Sequence, residues 1–133
     1  MALVTRATDA SMGPVSAMFA PQVTGIAGED LDVVAPCYIK GADGLIYMGD
    51  GTAADEKALI AGLTPRACKQ GEPITLFGIG ARFKYAAAGT LTPGVKLFVA
   101  ATPGRLDTAA TIGDATGIVQ AISDTDVRVV RAV

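Results

Sequence analysis

Cys37 and Cys68 are the two thiols of the chain, 31 positions apart. A thiolate metal site needs a second cysteine two to four residues away, or histidines near it. Neither cysteine has such a neighbour, and the sequence contains no histidine. A cysteine nucleophile would therefore lack its usual basic partner. The Ser-His-Asp triad and the commonest general base are removed with it. In a chain able to form a core, two cysteines read as small buried hydrophobes and not as a disulfide scaffold.

The carboxylates offer two further groupings. Asp50, Asp55 and Glu56 could crowd into a hard-metal site, but they lack the loop spacing of a calcium motif. Turn and cap roles account for them better. Asp124 and Asp126 flank one turn, where aspartate serves by binding nearby backbone N–H groups. Gly78-Ile79-Gly80 has two of the three glycines of a dinucleotide fingerprint. It runs on into a strand-like stretch, Arg82 to Ala86, whereas a phosphate cradle must feed a helix N-terminus. Lys40, Lys57 and Lys69 read as solvated surface. The expectation is a protein that is not an enzyme, with no catalytic, cofactor-binding or metal-binding residue.

The elements around these residues point the same way. Half of the 133 residues are hydrophobic, yet there are only four Phe, three Tyr and no Trp, while 16 Gly and 7 Pro punctuate the chain. Ala, Val and frequent turns favour many short strands in one domain. The net charge is −2, and the eleven basic residues are spread from Arg6 to Arg131 without a run. A nucleic-acid surface needs clustered Lys and Arg to displace counterions, so none is expected. Met1 to Ala10 holds one Arg and no apolar core of a leader peptide. No apolar run approaches the roughly 18–20 residues that span a bilayer. The expected setting is the cytosol, with no membrane partner.

Met1 to Ala27 is irregular. Leu3, Val4, Met12, Val15, Met18 and Phe19 follow neither a period of two nor one of 3.6, and Pro14 and Pro21 interrupt any helix or central strand. Two readings stand: an arm folded on its own domain, or an arm laid over a neighbouring subunit or partner. Apolar residues without an internal period favour the second, and these six are the partner-binding candidates. The expected organisation is an arm over 1–27 and a β-rich domain over 28–133.

Within that domain, Cys37 to Ile39 and Leu45 to Met48 flank the Asp43-Gly44 turn as a hairpin. Thr52 and Asp55 have capping-box spacing, which predicts a short helix over Ala53 to Ala58; Leu59 to Leu63 favours a strand. The alternation from Ile74 to Tyr85 changes phase between Leu76 and Phe77, which predicts a β-bulge. Beyond it, Phe77, Ile79, Phe83 and Tyr85 share one face, and Arg82 and Lys84 the other. Leu91-Thr-Pro-Gly94 and Thr102-Pro-Gly104 are turns around a strand from Val95 to Ala101. A polar connection, Thr108 to Thr116, leads to a closing hairpin, 117–123 with 127–133. This pattern predicts an all-β sandwich or compact barrel of about seven to nine short strands, with at most one short helix.

The order of these features resembles the capsid decoration, or structural cement, proteins of tailed bacteriophages. The resemblance is carried by the irregular arm, Ala27-Gly28-Glu29-Asp30-Leu31, Asp43-Gly44-Leu45 and the Gly71-Glu72 turn before a strand ending near Tyr85. It continues through Leu91-Thr-Pro-Gly94, Leu97-Phe98-Val99, Thr102-Pro-Gly104-Arg105-Leu106 and Val119-Gln120-Ala121. It implies a small all-β protein of the virion that assembles as homotrimers on the outer surface of an icosahedral capsid. Its partners would be the major capsid protein and itself, and its work would be to bridge neighbouring capsid subunits. Another virion component, such as a tail, neck or fibre-base protein, shares this composition. A carbohydrate-binding β-module is less well served, because sugar platforms draw on exposed aromatics and the chain has seven in all, without Trp.

Overall fold

The computed structural model describes residues 3–13 and 21–133. Val15, Met18 and Phe19 of the partner-binding set lie outside the described residues. The fold is all-β, built from two antiparallel sheets.

The six-stranded sheet runs in the order β1 (Ser11–Met12), β7 (Arg82–Lys84), β11 (Asp126–Val129), β10 (Val119–Ala121), β8 (Lys96–Val99) and β9 (Leu106–Asp107). The five-stranded sheet runs β2 (Gln22–Ile26), β6 (Pro73–Phe77), β5 (Gly62–Leu63), β3 (Pro36–Ile39) and β4 (Ile46–Met48). Eleven strands among the described residues exceed the seven to nine expected, because β1, β5 and β9 are two-residue pieces. The larger core joins the inner face of the six-stranded sheet (Phe83, Leu97, Val119, Val127, Val129) to Val34, Ile60, Leu63 and Phe77 of the other layer. A smaller core fills the five-stranded sheet with Leu31, Cys37, Ile46, Cys68, Ile74 and Leu76.

Both hairpins form as read: β3 pairs with β4 through Tyr38↔Tyr47, and β10 with β11 through Gln120↔Arg128. The expected bulge at residue 76 is instead a change of sheet. Leu76 belongs to the smaller core and Phe77 to the larger. The chain then turns at 78–81 and enters the six-stranded sheet as β7. Gly80 makes the turn with φ of 94°, a region that side-chain-bearing residues rarely adopt. Ile79 sits exposed on this turn, while Phe83 and Tyr85 are fully buried and Arg82 faces solvent.

The predicted helix over 53–58 is reduced to one 3-10 turn, Glu56–Ala58. Its cap is Asp55, which accepts from the Lys57 N–H, while the Thr52 hydroxyl donates to Asp50 instead of capping. The final strand stops at Val129 and not Val133, because the tail crosses to the other layer, where the Val133 N–H donates to the Ile60 carbonyl.

Both sheets take in described residues from before position 27. Gln22–Ile26 pairs along its whole length with β6, and Ser11–Met12 pairs with β7. Residue 3 bridges Asp107, the Val4 N–H donates to the Leu106 carbonyl, and the Ala7 N–H donates to Tyr85. The described part of the arm thus runs from β9 to β7, at opposite sides of the same sheet. It covers edges that would otherwise leave unpaired backbone groups.

Candidate interaction surface

The groups read as possible chemistry are held in structural roles. Cys37 and Cys68 are both free and buried. Burial, then the charges of Glu29 and Asp32, push the Cys37 thiol far up, and burial also raises Cys68. Neither is a ready thiolate nucleophile. Asp124 accepts from the Gly89 N–H, while Asp126 pairs with Arg82 at 2.9 Å, so the two carboxylates are turned to different partners. Among the described residues no cluster of three acidic or cysteine side chains is placed to hold a metal ion.

The carboxylate with the most partners is one that spacing did not single out. Asp114, in the 108–116 connection, is buried and accepts from the N–H groups of Val99 (2.9 Å) and Gly117 (2.8 Å) and from the Arg131 guanidinium (2.6 Å). With its oxygens taken up, it clamps the loop onto β8, onto the start of β10 and onto the tail that follows β11. Its only sequence signal is an aspartate three residues before Gly117, which adopts φ of 89°.

Surface features are therefore the candidates. A groove of about 290 Å³ is lined by Leu3, Val4, Leu91, Val95, Leu97 and threonines 5, 90, 92 and 108. Leu3 (43 % exposed) and Val95 (42 %) flank it. Of the six partner-binding candidates, Leu3 is accessible here. Val4 is only 5 % exposed within the larger core and is not available to a partner. Met12 is half-buried, opposite Phe83 and packed against the same core. The structure therefore brings Leu3 together with Leu91 of the Leu91-Thr-Pro-Gly94 turn and with Val95 just after it, neither of which was among the partner-binding candidates.

Charge is unevenly placed. Around Tyr38 and Tyr47, whose rings lie 6.1 Å apart, stand Glu29, Asp43, Asp55 and Glu56. Glu29 accepts from the Met48 N–H, Asp43 from the Tyr47 hydroxyl, and Glu56 from the Gly41 N–H. Burial, followed by the negative charge of Glu56, Glu29, Asp50 and Asp55, raises the Tyr38 hydroxyl above its ordinary value. Lys40 lies over the Tyr47 ring at 4.9 Å. Positive charge gathers instead on the outer face of the six-stranded sheet, at Arg82, Lys84, Lys96 and Arg128.

No protein-family model matches the chain, and no curated protein matches it. Among the described residues no helix is long and apolar enough to cross a membrane.

Proposed function

We propose that this chain is a structural protein of a virion, which decorates the outer surface of an icosahedral phage capsid and stabilises it as a homotrimer by bridging major capsid proteins. The observation that carries the reading is the order and spacing of turns and strands from Ala27 to Val133, which resembles the cement family. The all-β architecture is compatible with it. A shell binder needs rigid shape more than chemistry, since many weak copies on one lattice gain by avidity. The accessible apolar groove at Leu3, Leu91 and Val95 suits a contact that must exclude water.

The test mixes purified protein with expanded phage capsids that lack their decoration protein and sediments them. Co-sedimentation with raised resistance of the shells to heat or chelation is expected. Failure to sediment with any shell sinks the reading. Immunolabelling of virions separates the rival: label over the whole head fits decoration, while label confined to a vertex or tail indicates a tail or neck component.

A further inference from the structure

The pairing of the six-stranded sheet places three cations and one amide in a row across four strands. Lys96 on β8 lies opposite Gln120 on β10, Gln120 opposite Arg128 on β11, and Arg128 opposite Arg82 on β7. All three cations are exposed. Like charges directly opposed across a ladder weaken a sheet, so folding gains nothing from facing Arg128 with Arg82. Among the described residues only Arg82 of the three pairs with a carboxylate, that of Asp126. Arg128 is held by a neutral acceptor, with its Nε and Nη2 donating to Gln120 Oε1 at 3.1 and 2.7 Å. The Lys96 ammonium meets no acceptor among the described residues. Among the described residues no carboxylate therefore compensates these two positive charges, which stand beside a groove of about 350 Å³ that also takes in Thr116, Val130 and Arg131.

The opposite charge is found on the same molecule and close by. The acidic turn at Asp55 and Glu56 borders a second depression of about 390 Å³, together with Leu59 and again Arg131. Leu59 is exposed there. Each patch thus joins an apolar element to a dominant charge: Val130 with Lys96 and Arg128, and Leu59 with Asp55 and Glu56, where the bordering Arg131 is already paired with Asp114. Because Arg131 borders both, the two patches are neighbours on the surface and do not lie at opposite poles. A contact between unlike patches is heterologous, and it closes into a ring or continues as a filament according to the rotation it imposes. Patches at opposite poles would build a filament; neighbouring patches turn each copy sharply relative to the last, which favours a small ring.

We infer that the cationic row at Lys96 and Arg128 seats the acidic turn at Asp55 and Glu56 of a second copy of this chain, so that copies join head to tail in a small closed ring. The inference rests on the homo-oligomer of the reading above and not on the capsid. Complementary charge of this kind sets register and partner choice more than raw affinity, and it is screened by salt.

Light scattering and sedimentation velocity of the full chain at low and high salt test it. The wild type is expected to form a small oligomer of single size that dissociates as salt rises. Charge reversal on one side, Lys96→Glu with Arg128→Glu, is expected to weaken association by at least about tenfold. Reversal on the other side, Ala54→Lys with Glu56→Lys, should do the same, and it leaves the Asp55 cap in place. Combining all four substitutions is expected to restore the oligomer. The neutral pair Lys96→Gln with Arg128→Gln keeps the side-chain bulk and is expected to give an intermediate loss, with circular dichroism confirming the fold of each variant. A wild type that stays monomeric at low salt, an oligomer indifferent to both reversals, or reversals that dissociate it without rescue in combination would each overturn the inference. Rescue without shell binding would leave this contact standing and remove the capsid reading; shell binding by a protein indifferent to the reversals would do the opposite.

Discussion

At the scale of single residues, Asp114 does the most for the fold. Replacing it with Ala strands the N–H groups of Val99 and Gly117 and frees Arg131. Each buried donor left without an acceptor costs about 1–3 kcal/mol, so Asp114→Ala is expected to lose about 2–4 kcal/mol in urea denaturation. A loss within the scatter of surface substitutions would show that the loop is held by other contacts. The two cysteines give a second prediction. With both thiols buried and raised, native protein at neutral pH should react with a disulfide reagent only as fast as it opens, and unfolded protein should react at once. Rapid labelling of Cys37 in the folded state would contradict its burial. The acid limb of stability can also be placed. Lys84 beside Asp9, and the Leu45 N–H followed by the Tyr47 hydroxyl at Asp43, hold both carboxyls below the ordinary value of 3.8. Groups with a depressed folded value add stability that is present above the unfolded value and is lost as pH falls through the folded one. The urea midpoint should therefore drop as the pH is lowered below about 4. Asp9→Asn and Asp43→Asn together should flatten that part of the curve.

At the scale of elements, the decisive segment is the link between β6 and β7. Its two glycines have different duties. A methyl group at Gly78 would rest about 3.6 Å from Pro21, an ordinary contact, and that position needs no positive φ. Gly80 has open space around it but holds φ of 94°. Gly78→Ala is therefore expected to change stability by no more than about 0.5 kcal/mol, while Gly80→Ala costs about 1–2 kcal/mol from backbone strain alone. Thermal unfolding of the two variants side by side distinguishes this from a simple loss of flexibility, which would affect both alike. If Gly78→Ala is the worse of the two, the turn is limited by space and not by conformation.

At the scale of the whole molecule, the described part of the arm belongs to the domain it was expected to leave. Val4 fills the larger core, and full burial of such a side chain contributes about 1.5–3 kcal/mol. Deleting residues 1–13 also removes the pairing of β1 with β7 and uncovers β9. The expected result is a marked fall in the unfolding midpoint, with exposed edges that promote aggregation, and not a folded domain that merely binds partners less well. A deletion variant with unchanged stability would return the arm to the role of a free appendage. Leu3→Asp, by contrast, should leave the fold intact and weaken whatever contact the groove at Leu91 and Val95 makes, read as reduced sedimentation with shells.

The sequence by itself determined the class of fold and most of its turns. The Asp43-Gly44 and Asp124-Thr125-Asp126 hairpins, the buried alternation of Phe83 and Tyr85, and the burial of both cysteines follow from local rules of turn chemistry and period. Of the candidate site, Leu3 was legible as an accessible apolar residue. Tertiary structure decided the rest, because the deciding contacts join positions far apart in the chain. A phase break at Leu76 reads alike for a bulge and for a change of sheet, and only the second layer distinguishes them. Val4, without a period of its own, takes its place from Leu106, about a hundred residues on, whose carbonyl accepts from its N–H. The cationic row needs the registers of four strands, and Lys96, Arg128 and Arg82 have no neighbourly spacing that would bring them to notice. Residues scattered along the chain without a run become one charged surface because pairing, and not sequence distance, sets who stands beside whom.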